Sequence, residues 1–143
     1  MALPKILAVL VGILSACAVV RYGDTHEQAG LEGTWTFVQS APDGDKKTKG
    51  PSVRMVLKGN TIAFETDGKK RVEGTYTVDP SKSPKTMDIT MEKAKGAILA
   101  IYELDGDRLK LCHHLGARAS KERPKTFTAD KQTVLGILKR DKK

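Results

Sequence analysis

What most constrains this chain is an alternation of apolar and polar residues that recurs from Glu32 to Arg140 in short segments broken by turn residues. Successive strand side chains point to opposite faces, so a period of two marks a sheet with one face buried. Trp35 and Phe37, with Gln39 next in phase, share a face, and Val53, Met55 and Leu57 alternate with Arg54 and Lys58. Gly59-Asn60 then turns the chain into a segment in which Ile62 and Phe64 face one way. Asp67-Gly68 supplies two residues that tolerate the positive φ of a type I′ hairpin turn. Beyond it come Val72, Gly74, Tyr76 and Val78, a loop marked by Pro80 and Pro84, and then Met87, Ile89 and Met91. Ile98 to His113 is the clearest hairpin, with Tyr102 and Leu104 before Asp105-Gly106 and Leu109 and Leu111 after it. A basic stretch, His114 to Lys125, leads to Phe127 and a last strand from Thr133 to Arg140.

No apolar pattern of 3.6-residue spacing runs long enough to mark a helix. About eight or nine short strands, with turn signals roughly every 8–12 residues, predict an all-β barrel or sandwich. Tight turns between antiparallel neighbours favour an up-and-down barrel, which leaves no exposed sheet edge.

Ahead of that domain the chain has a different character. Lys5 precedes the apolar run Ile6 to Leu14, and small residues follow, as in an export leader. Leu14-Ser15-Ala16-Cys17 resembles the bacterial lipobox, in which the cysteine becomes the acylated first residue of a lipoprotein. Ordinary cleavage after Ala16-Cys17-Ala18 is the alternative exit. An uncleaved anchor fits less well, because Ile6 to Val20 is shorter than the roughly 20 residues that span a bilayer. Residues 1–18 are therefore expected to be the leader and residues 19–30, polar and patternless, a tether. Residues 31–142 are expected to be the folded domain, placed in the periplasm or cell envelope and held to the membrane by lipidated Cys17.

Leu31-Glu32-Gly33-Thr34-Trp35 holds the only tryptophan, and a Gly-x-Trp step opening the first strand resembles the start of lipocalin-like barrels. Further blocks are Gly74-Thr75-Tyr76, Asp79-Pro80, Pro84-Lys85, Ile101 to Asp107, Leu109 to Cys112, Glu122-Arg123-Pro124 before Phe127, and Leu138-Lys139-Arg140. Together these resemble a family of small domains multiplied in planctomycete bacteria, often behind signal peptides. The resemblance covers nearly all of Leu31 to Arg140 and implies a small antiparallel, up-and-down lipocalin-like barrel. It implies no activity, ligand or catalytic residue. In lipocalin-like proteins a basic residue near the last strand stacks across the Gly-x-Trp indole; Arg140 is the candidate here and Arg123 the second.

Sites of chemistry are harder to find. Cys112-His113-His114 is the one cluster of soft ligands, but on a strand His113 points away from the other two, and His26 lies in the expected tether. Zinc usually takes three or four protein ligands, so no metal site is expected. Asp43, Asp45, Asp105 and Asp107 flank glycines, where aspartate serves turn geometry. No Gly-x-Ser-x-Gly elbow or Walker-type glycine loop is present, so neither catalysis nor a cofactor is expected.

Two binding surfaces are left. A barrel of about eight strands is filled by its own side chains or holds one small ligand. The expected lining is Trp35, Phe37, Met55, Phe64, Tyr76, Met87, Tyr102 and Leu111, suited to a small apolar or amphipathic molecule. The alternative is a filled barrel acting through its surface. The chain carries 25 Lys and Arg against 17 Asp and Glu, a net charge of +8, in clusters at Lys46–Lys49, Lys69–Arg71, Arg118–Lys125 and Lys139–Lys143. Such clusters solubilise loops, and beside a lipid anchor they also bind anionic surfaces. One Trp, three Tyr and three Phe are too few for a nucleic-acid stacking platform.

Overall fold

The computed structural model describes residues 22–41, 52–116 and 121–143. The leader, Cys17, Asp43, Asp45 and the Lys46–Lys49 cluster lie outside the described residues. Eight antiparallel strands close into one barrel in chain order: β1 (Gly33–Ala41), β2 (Val53–Lys58), β3 (Thr61–Thr66), β4 (Lys69–Asp79), β5 (Lys85–Met91), β6 (Ala97–Asp105), β7 (Arg108–His114) and β8 (Thr133–Arg140). β1 pairs with both β2 and β8, so no strand edge is left free, and the fold is the expected all-β, up-and-down lipocalin-like barrel.

Turn chemistry sets the hairpin registers. Asp67 and Gly68 both adopt positive φ, 52° and 74°, the conformation of a type I′ turn. At β6–β7 the two-residue loop is Gly106-Asp107, one residue later than the sequence reading placed it. Gly74 is required for another reason: a Cβ there would lie 2.1 Å from the Thr90 carbonyl oxygen. Only glycine lets β4 bend there, away from its pairing with β3 and into its pairing with β5. A bulge between Phe37 and Gln39 inserts Val38 as an extra residue opposite β8, leaving it exposed.

The inward parity of the eight strands forms a single core. Trp35, Met55, Tyr76, Met87, Tyr102, Leu109 and Leu138 are all at most 1% exposed within it. Residues without accessible surface have no water-sized void beside them, so this part of the interior is filled by its own side chains.

Two features depart from the sequence reading. Residues 22–31 form a helix, α1 (Tyr22–Leu31), where a patternless tether was expected for residues 19–30. No apolar stripe announces it, because polar contacts and one buried residue, Leu31, hold it against the barrel. The second feature is the stretch 121–132, which crosses the outer face of β5–β7. Arg123 donates to the Ala100 carbonyl at 2.6 Å and pairs with Asp88, and the Cys112 thiol lies 3.6 Å from the Thr126 carbonyl. Ile101 and Cys112, register partners on the outward parity, are therefore as buried as the core.

Candidate functional site

The two barrel ends are built differently, and the difference decides where a ligand could bind. One end holds the starts of β1, β3, β5 and β7 and is closed by α1. Leu31 enters the core, and its carbonyl accepts a 2.9 Å hydrogen bond from the Trp35 indole. Gln28 donates to the Gly59 carbonyl at 2.7 Å, and Glu32 accepts from the Gly59 amide at 3.0 Å. Glu27 accepts from Lys85 at 2.7 Å and from the Tyr102 hydroxyl at 3.3 Å.

Arg140 ties this end together. Its guanidinium lies 4.2 Å from the Trp35 ring centroid. Its NH1 and NH2 groups donate to the Glu32 and Gly30 carbonyls, and its Nε donates to Asp107 at 3.1 Å. A helix leaves its last carbonyls without intrahelical partners, and a cation there is favoured by the helix dipole. Arg140 thus caps α1 while stacking on the indole beneath it. Arg123 has no part in the stack, being held on the β5–β6 face.

Tyr76 is the one discordant group at this end. Its hydroxyl is buried and has no partner in bonding geometry, although the neighbouring Gln28 amide lies close enough to oppose part of the effect of burial. Burial raises its pKa.

Among the described residues no helix covers the opposite end. Phe37, Phe64 and Ile98 lie there on the inward parity, packed against the core yet only partly buried. Val72, paired with Phe64 across β3 and β4, is 41% exposed, and Leu115 follows the end of β7 with similar exposure. The Phe37 ring lies so close over Gly136 that a Cβ there would be 2.9 Å from it, so glycine makes room for this ring. The result is an apolar mouth of partly buried side chains above the buried core.

The eight expected lining residues divide accordingly. Trp35, Met55, Tyr76, Met87, Tyr102 and Leu111 belong to the filled interior, where side chains already occupy the space a ligand would need. Phe37 and Phe64 remain accessible at the mouth. The sequence reading missed Val72, Val38 and Leu115 as exposed apolar groups. For Val72 the register fixed by the Asp67-Gly68 turn is the only signal that could have found it.

One titratable group, His113, shares the mouth's inward parity at the open end of β7, and the other reactive groups lie elsewhere. Cys112 faces the 121–132 stretch, and burial pushes its thiol from 9.0 up to about 11, far from nucleophilic at neutral pH. His114 meets the Thr133 hydroxyl at 3.0 Å, and His113 lies on the other face, with Nδ1 2.9 Å from the His114 carbonyl oxygen. Among the described residues no group of three or more His, Cys, Asp or Glu could hold a metal ion. Comparison with protein-family models, with curated proteins and with solved structures returns no match.

Proposed function

We propose that this protein is an exported, lipid-tethered binding module without catalytic activity, which takes the apolar part of a small amphipathic molecule at the open end of its barrel. The observation that carries this reading is the mouth itself. Phe37, Phe64 and Ile98, with Val72 paired to Phe64, are left partly exposed at this end; of the two partly buried inward residues at the closed end, Val78 and Leu104, Leu104 lies against Gly30 of α1. Grouped, accessible apolar side chains at a barrel mouth mark a binding site more often than scattered ones do. The filled interior limits the ligand to one that inserts a short apolar group and leaves its polar part in solvent. Export and lipidation rest on the leader, with Cys17 as the acylated residue.

A fluorescent fatty-acid probe tests the mouth. Binding should weaken at least tenfold in Val72→Glu, while stability is unchanged, because Val72 is already 41% exposed. Equal binding by both proteins would remove the mouth as the site. Native mass spectrometry of protein from its own host should show a co-purifying lipid-sized mass. Labelling with an acyl-chain probe, abolished by Cys17→Ser, tests the anchor.

The filled interior favours a second reading, in which the barrel is a scaffold and its basic surface contacts anionic envelope components.

A further inference from the structure

A groove of about 870 Å³ runs along the outer face of β1 and β2 at the closed end, walled by residues 140–143. Its lining mixes charges of both signs, but the two signs are not equally free. Glu32 accepts from the Gly59 amide, and Asp107 accepts from Arg140. Asp141 accepts from the Thr36 hydroxyl at 2.6 Å and lies 3.8 Å from Arg54. Each carboxylate is thus engaged within the protein. Lys58, Lys142 and Lys143 are exposed and make no ion pair among the described residues. Val56, outward on β2, gives the groove an apolar patch. Unpaired ammonium groups around such a patch match a phosphate headgroup with the start of its acyl chains below it.

The position of the groove selects the partner. Arg140 lines it and also holds the end of α1, which lies across this same barrel end with Glu27 reaching Lys85 and Tyr102. Cys17 precedes Tyr22 by five residues, which reach at most about 18 Å. A lipid on Cys17 would therefore hold the protein from its closed end, where the groove lies, with the mouth at the other end. We propose that this groove is the membrane-facing surface and seats the headgroups of anionic phospholipids. The barrel then stands closed end down, with its mouth turned away from the anchoring membrane. The orientation rests on the tethered-module reading; headgroup binding can be measured without it. Mouth ligands would in consequence be exchanged with a partner across the envelope space instead of being drawn from the anchoring leaflet.

The test uses the full chain carrying Cys17→Ser, with vesicles of phosphatidylcholine alone or containing phosphatidylglycerol. Subtracting the phosphatidylcholine baseline removes insertion of the leader. Lys58→Gln/Lys142→Gln/Lys143→Gln is compared with Lys69→Gln/Lys93→Gln/Lys95→Gln, an equal charge change at the open end. A lysine near an anionic surface contributes about fivefold in partitioning, so the groove variant should lose on the order of a hundredfold. The open-end variant should stay within about threefold of the parent. Equal losses in the two variants, or no loss in the groove variant, would overturn the proposal. So would displacement by millimolar inorganic phosphate beyond that caused by chloride of equal ionic strength, which would assign the groove to a soluble phosphate-bearing ligand. Fatty-acid probe binding at the mouth, measured on the groove variant, should be unchanged, so failure here is separable from failure of the mouth reading.

Discussion

Replacing Arg140 tests how the closed end is held. Arg140→Met keeps an unbranched apolar stem and removes the guanidinium. The lost stack on Trp35, at 4.2 Å, is worth about 1 kcal/mol at a partly exposed site. The bonds to the Gly30 and Glu32 carbonyls add about 1 kcal/mol each, since charged donors exceed neutral ones but solvent screens this end. The Asp107 pair adds little, because that carboxylate is 65% exposed. The expected loss is about 3 kcal/mol in total. Arg140→Lys should lose about 2 kcal/mol, because an ammonium keeps the charge but cannot bridge two carbonyls and stack at once. Guanidinium unfolding followed by fluorescence measures both, with the buried, single Trp35 as reporter. Hydrogen exchange should accelerate first in α1, whose last carbonyls lose their donors. A loss below 1 kcal/mol in Arg140→Met, or α1 protection equal to the parent, would refute this account of the closed end.

Other perturbations probe single contacts. Tyr76→Phe removes a buried hydroxyl without a partner and should leave stability unchanged or raise it by up to about 1 kcal/mol in the same unfolding assay; a loss of that size would show that the hydroxyl is bonded. Gly136→Ala drives a methyl group against the Phe37 ring and should cost about 1–2 kcal/mol, most of it recovered in the double variant with Phe37→Leu. The Cys112 thiol, raised by burial from 9.0 to about 11, should contribute a fall in stability as pH rises from 9 through 11. The unfolded chain releases that proton first, so unfolding is favoured there, and Cys112→Ala should flatten this part of the pH profile. At pH 8 the native thiol should also resist alkylation until denaturant opens the protein.

The barrel was legible because strand alternation is a local property. Met55, Leu57, Ile62, Tyr76, Met87 and Ile89 announce their inward parity within a few residues, and Asp67-Gly68 announces its own turn. Helix α1 was not legible. Its sequence, YGDTHEQAGL, has no apolar stripe, and the groups that hold it, Gly59, Lys85, Tyr102 and Arg140, lie far along the chain. The burial of Cys112 and Ile101 was hidden for a related reason. Their alternation places them outward, and only the return of residues 121–132 covers that face.

The lining residues show the same division at the candidate site. Sequence parity puts Trp35 and Phe37 on one inward face, but parity does not give depth along the barrel axis. Strand stagger and the closing helix make Trp35 part of the buried core and leave Phe37 beside the mouth. The sequence by itself therefore determined which side of the sheet each residue faces, because that follows from the geometry of neighbouring peptide units. Which end is shut, which apolar groups stay open and which lysines lack partners were decided by tertiary structure. Those properties depend on contacts between residues that only closure of the barrel brings together.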